Sequence, residues 1–155
     1  MSKSELVKSK IKTPVKLEPE VAIAIIGLFS ASGEDEGIIT PEEYPLPEML
    51  EGIELFASYS EEDFDKLTAK VNTLIEEEKV ESLIPSAIAS LTKKSYRETA
   101  YITAILILGM EEDIPESEED YLFELQEALK ISDERAEELI DEIFEEYEEE
   151  EEEQE

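Results

Sequence analysis

The chain has 155 residues, with 44 Asp and Glu against 13 Lys and Arg, a formal charge of −31. Such a polyanion repels phosphate backbones and anionic headgroups, so the sequence argues against direct binding of nucleic acid or a membrane surface and favours cations or basic proteins as partners. Histidine and cysteine are both absent, which removes disulfides, thiolate nucleophiles, imidazole bases and the usual zinc and haem ligands; any metal has to be a hard cation held by oxygen, calcium or magnesium.

Length points to one domain, and a composition with five glycines and much Leu, Ile, Ala, Glu and Lys points to an all-α fold. Residues 1–17 form a basic N-terminal extension, with Lys3, Lys8, Lys10, Lys12 and Lys16 against Glu5. No hydrophobic stretch follows those charges, so it does not read as a secretory signal and the cytoplasm is the expected location. The helical body spans 18–146, and 147–155 is a polyglutamate tail, expected to be disordered or a helical continuation.

Within the body the apolar run Val21 to Phe29 is too short to span a membrane and reads as a buried helix. An acidic loop, Gly33 to Gly37, follows, and Thr40-Pro41-Glu42-Glu43 carries a capping hydroxyl, a proline for the first turn and acids beside it. Pro45 and Pro47 delay the next helix, so its regular part is expected from about Pro47 to Ala57. Ser60-Glu61-Glu62-Asp63 opens an amphipathic helix with Phe64, Leu67, Val71, Leu74 and Ile75 on one face. Pro85 is expected to break or kink the segment Val80 to Leu91. Lys93-Lys94-Ser95-Tyr96-Arg97 is a basic cluster whose expected duty is to neutralise acids at a turn between helices. A second apolar helix, Ala100 to Met110, runs into Glu111-Glu112-Asp113, and Tyr121, Leu122, Leu125, Ala128 and Leu129 mark the next apolar stripe. Ser132-Asp133-Glu134 caps a last helix carrying Ala136, Leu139, Ile140 and Ile143.

The two halves share an order of features: apolar helix, acidic loop, a single Ile (Ile39 or Ile114), an acid-rich helix, then a Ser-capped helix. From Ser60, Phe64, Leu67 and Val71 lie at +4, +7 and +11; from Ser132, Ala136, Leu139 and Ile143 lie at the same offsets.

This order resembles the TerB-like family of small helical proteins, named from tellurite-resistance operons. Its cyanobacterial-type branch is closer, in Leu55-Phe56-Ala57-Ser58-Tyr59-Ser60-Glu61-Glu62, Phe64-Asp65-Lys66-Leu67, Arg97-Glu98-Thr99-Ala100 and Leu125-Gln126-Glu127-Ala128-Leu129-Lys130-Ile131-Ser132. The resemblance runs from about Glu18 to Phe144. It implies a single compact domain of about seven helices, two similar halves around a central apolar pair, and two acidic turns proposed to bind cations. Carried over, Glu36-Gly37-Ile38-Ile39-Thr40-Pro41-Glu42-Glu43 matches the first turn with Glu36 for the usual Asp. In the second, Glu111 replaces Asp, Glu112 stands in the glycine place and Pro115 in the Ser/Thr place.

The candidate metal ligands are therefore Asp35, Glu36, Glu42 and Glu43, with Glu111, Asp113 and Glu118 as the second set, for calcium or magnesium. The plainer reading is that these acids complement helix N-termini and face water. Catalysis is not expected, because nothing in the sequence marks a pocket or an orienting partner for a carboxylate pair. The leading expectation is a non-enzymatic, TerB-like acidic protein that binds a divalent cation or a protein partner in a stress-response, tellurite-resistance-type setting. The alternative is an interaction protein that binds a basic or DNA-binding protein through bulk negative charge.

Overall fold

The computed structural model describes residues 3–8, 15–32, 38–50, 53–109 and 116–142, and every regular element among them is helical. In chain order these are α1 (Lys3–Lys8), α2 (Pro19–Ala31), α3 (Leu46–Met49), a 3-10 turn (Glu54–Phe56), α4 (Glu61–Glu77), α5 (Val80–Ser90), α6 (Lys94–Gly109), α7 (Glu116–Ala128) and α8 (133–142). No helix among the described residues is long and apolar enough to cross a membrane.

The centre is α2. Glu18 precedes it in an extended conformation, Pro19 supplies a first-turn φ, and the Ala22 N–H donates to the Glu18 carbonyl at 2.9 Å to start the helical ladder. Every residue from Val21 to Ser30 is buried. A helix apolar around its whole circumference must be surrounded, and α4, α5 and α6 surround it. Each fully buried Ile, Leu or Phe contributes about 1.5–3 kcal/mol. Gly27 has a packing reason: a Cβ there would lie 2.7 Å from Met49 Cε and 3.4 Å from Thr103 Cγ2.

The second apolar helix, α6, packs on α2. Thr103 is tolerated in this interface because its hydroxyl donates to the Thr99 carbonyl at 2.8 Å. Two further polar groups in the core satisfy each other: Ser30 Oγ and Tyr121 Oη lie 2.7 Å apart, and the Tyr121 ring meets Phe29 edge-on at 5.4 Å.

Within the basic N-terminal stretch Leu6, Val7 and Leu17 are buried in the common core, and α1 packs against α7 and α5. Two expectations are revised. The helix expected from Pro47 to Ala57 is replaced by the short α3 and linked i→i+3 bonds, Ile53 to Leu50, Phe56 to Ile53 and Tyr59 to Phe56, each N–H to carbonyl at 3.0–3.1 Å. Leu50, Ile53 and Phe56 are all buried, at the three-residue spacing of these turns. Pro85 does not break α5, which runs through it. The carbonyl that loses its partner belongs to Glu81, an exposed residue where water can take the bond.

The caps follow the sequence closely. At α4, the Asp63 N–H donates to Ser60 Oγ at 3.2 Å and the Ser60 N–H to Asp63 Oδ2 at 3.1 Å, a closed capping box. At α8 the Arg135 N–H donates to Ser132 Oγ at 3.1 Å. Between α7 and α8 the chain turns through Lys130 with φ 59°; the Ile131 N–H reaches the Gln126 carbonyl at 3.1 Å and the Lys130 N–H the Glu127 carbonyl at 3.0 Å, a Schellman arrangement.

Candidate functional site

Of the expected metal ligands, Asp35, Glu36, Glu111 and Asp113 lie outside the described residues, and Glu118 is described only as part of the first turn of α7. Glu42 and Glu43 are exposed in a turn closed on Thr40, whose carbonyl accepts from Glu43 and Tyr44 N–H groups at 3.0 and 3.1 Å. Among the described residues no three carboxylates gather as metal ligands would. The basic cluster behaves locally: Lys94 Nζ lies 3.9 Å from Glu98, and Lys93 Nζ sits 5.7 Å from the centre of the Tyr96 ring.

Two surfaces remain as candidates. The first is α8, which buries Ala136 and Leu139 and exposes Asp133, Glu134, Glu137, Glu138, Asp141 and Glu142. Arg135 is the cation amid them. Its guanidinium takes Glu98 of α6 in a fork, Nε to Oε2 at 3.1 Å and Nη2 to Oε1 at 2.9 Å, and reaches Glu138 at 2.8 Å. The hydrogen bonds and charge of Arg135 hold the Glu98 carboxyl below the usual range against the opposing effect of burial. Glu134, Glu137 and Asp141, spaced three and four apart along α8, make no ion pair among the described residues.

The second is a groove between α4 and the stretch from Val15 to Val21. Ser86 and Ser90, one turn apart on α5, accept the N–H groups of Val15 and Leu17, each at 2.9 Å. Two residues of extended chain advance about 6.6 Å and four of helix about 6 Å, so the two spacings match and the segment lies flat on α5. Across from it runs α4. One end of the groove is apolar, about 420 Å³, walled by Val15, Leu17, Val21, Ala69 and Leu74. The other is polar, about 270 Å³, with Glu18, Glu20, Tyr59 and Asp63 around it. Lys70 and Glu18 border both ends and are joined by an exposed ion pair, 3.1 Å to each carboxylate oxygen. The Tyr59 ring packs on Phe56 and Phe64 at 5.1 and 5.2 Å. Burial, then the charges of Glu20, Asp63 and Glu18, push its hydroxyl up from its ordinary value.

Sequence reasoning missed this groove. The i, i+4 serines on α5 were a visible signal, since small hydroxyls on a helix face allow close approach of a backbone, but they name no partner. No protein-family model matches the chain, and neither a curated protein nor a solved structure matches it. What the described residues define is a class: an all-helical protein that carries an acidic helix face on α8 and a groove divided into an apolar and a polar end.

Proposed function

We propose that the protein is a non-enzymatic, acidic helical binding protein whose target is a protein with a basic surface. The observation that carries this reading is the stripe Glu134, Glu137 and Asp141 on α8, which makes no ion pair among the described residues. Like charges three and four residues apart on a helix destabilise it by a few tenths of a kcal/mol per pair, a cost that a cationic partner relieves. The excess of acids in the whole chain, −31, adds long-range steering toward such a partner. Titration with a twelve-residue lysine peptide tests it. Binding is expected to weaken steeply as salt rises and to weaken further when Glu134, Glu137 and Asp141 become Lys; binding indifferent to both changes refutes the reading. Deleting 145–155, which holds nine Glu in eleven residues, separates the contribution of the tail.

The TerB-like resemblance favours a second reading, calcium or magnesium at the turn ending in Glu42 and Glu43. Its support is the Thr40-centred turn, which leaves both carboxylates exposed. Millimolar calcium is then expected to raise the melting temperature, and Glu36→Gln or Glu43→Gln to reduce the rise. Melting unchanged by calcium removes this reading.

A further inference from the structure

The groove beside α4 differs from the acidic face of α8, because it combines charge with shape. Its two lysines at the polar end are engaged, Lys70 by Glu18 at 3.1 Å and Lys66 by Glu62 at 3.6 Å. Asp63 is held in the capping box of α4. The Ser58 hydroxyl, the Glu20 carboxylate and the Tyr59 hydroxyl make no hydrogen bond or ion pair there among the described residues, and the last two are the acid and the phenol of the site. An acid and a phenol beside an aromatic cluster suit an ammonium or, better, a planar guanidinium, which can bond to both and lie against a ring. About 10 Å further along α4, from Leu67 to Leu74 at 1.5 Å per residue, the lining becomes apolar. The backbone of the near wall adds a third element. Val15 and Leu17 turn their N–H groups to α5, so the N–H of Lys16 points the other way, and neither its N–H nor its carbonyl is bonded among the described residues.

We infer that this groove takes an extended basic segment of a partner protein, with a cationic side chain at Glu20 and Tyr59 and an aliphatic one between Leu17 and Leu74. Main-chain bonds to Lys16 would add it as a strand to the stretch 15–18. The separation of the two ends, about 10 Å, falls between two and four residues of extended chain, the spacings that put two side chains on the same face of a strand. The inference rests on the basic-partner reading and gives it a site.

The test is an NMR titration of the isotope-labelled full chain at low salt with the peptide Ac-Leu-Ala-Leu-Ala-Arg-Ala-Leu-Ala-Leu-NH2, which offers leucines two and four residues to either side of the arginine, on its face of an extended strand. Saturable shift changes are expected in residues 15–20, at Tyr59 and along 66–74. Binding should weaken about fivefold when the peptide arginine becomes glutamine, when its leucines become serine, or in Glu20→Gln and Tyr59→Phe proteins whose melting temperature is unchanged. Changes confined to 133–142 that track peptide charge alone overturn the groove and leave the basic-partner reading standing. No change anywhere, with no binding of the lysine peptide, overturns both.

Discussion

Helices α4 and α8 begin alike and end up differently employed. Each opens on a serine whose hydroxyl accepts the N–H of the third helical residue, and each places apolar residues at +4 and +7, Phe64 and Leu67 in one, Ala136 and Leu139 in the other. The third residue separates them. In α4 it is Asp63, which folds back on Ser60 and closes a purely local box. In α8 it is Arg135, which turns away from its own cap to Glu98 on α6. One helix start is therefore settled by four consecutive residues, whereas the other is tied by a contact spanning 37 positions. A local signal can set where a helix begins without setting what it packs against.

The comparison breaks first at the shared +7 position. Leu67→Ala and Leu139→Ala should each cost about 2–5 kcal/mol in urea unfolding, since both leucines are buried at 4% and 2% exposure. If Leu139→Ala costs less than about 1 kcal/mol, α8 is a fraying edge and not a counterpart of α4.

The long-range tie is read out by pH. Glu98 is held below its ordinary value by Arg135, so its stabilisation is present above the unfolded carboxylate pKa of about 4.3 and is lost as pH falls through the depressed folded value. Glu98→Gln should lower the melting temperature at neutral pH by a few degrees, and the gap to the unaltered protein should close on acidification. A gap that stays constant with pH would mean the pair contributes no ionic stabilisation.

Smaller effects sharpen the local side. Ser60→Ala and Ser132→Ala should each lose about 1 kcal/mol by thermal unfolding, because each removes an acceptor for an N–H at a helix start. Lys130→Gly should gain up to about 1 kcal/mol, since φ 59° disfavours a residue with a Cβ and suits glycine. A loss there would show that the lysine side chain contributes more than its backbone strain costs.

Much of this fold was legible in the residues. The unbroken apolar run of α2, the stripe of α4 and the serines before α4 and α8 are signals within one or two turns, and the structure follows them. Where reading failed, the cause was a competing contact. The buried series Leu50, Ile53 and Phe56 goes with turns of three in place of a regular helix, and Pro85 sits buried in the middle of a continuous α5. The groove was illegible for a related reason: Val15 and Ser86, or Glu18 and Lys70, are 71 and 52 positions apart, and no periodicity relates them.

By itself the sequence determined the helical class, the acidity and the caps, because propensity, charge and capping act over a few residues. It also excluded thiol, imidazole and soft-metal chemistry, which depends only on which side chains exist. The tertiary structure alone decided that α2 is enclosed by α4, α5 and α6, that two serines of α5 hold the stretch before α2, and that an apolar and an acidic hollow lie end to end beside α4. Those outcomes depend on how buried surfaces fit together across the chain, and burial is a property of the packed whole.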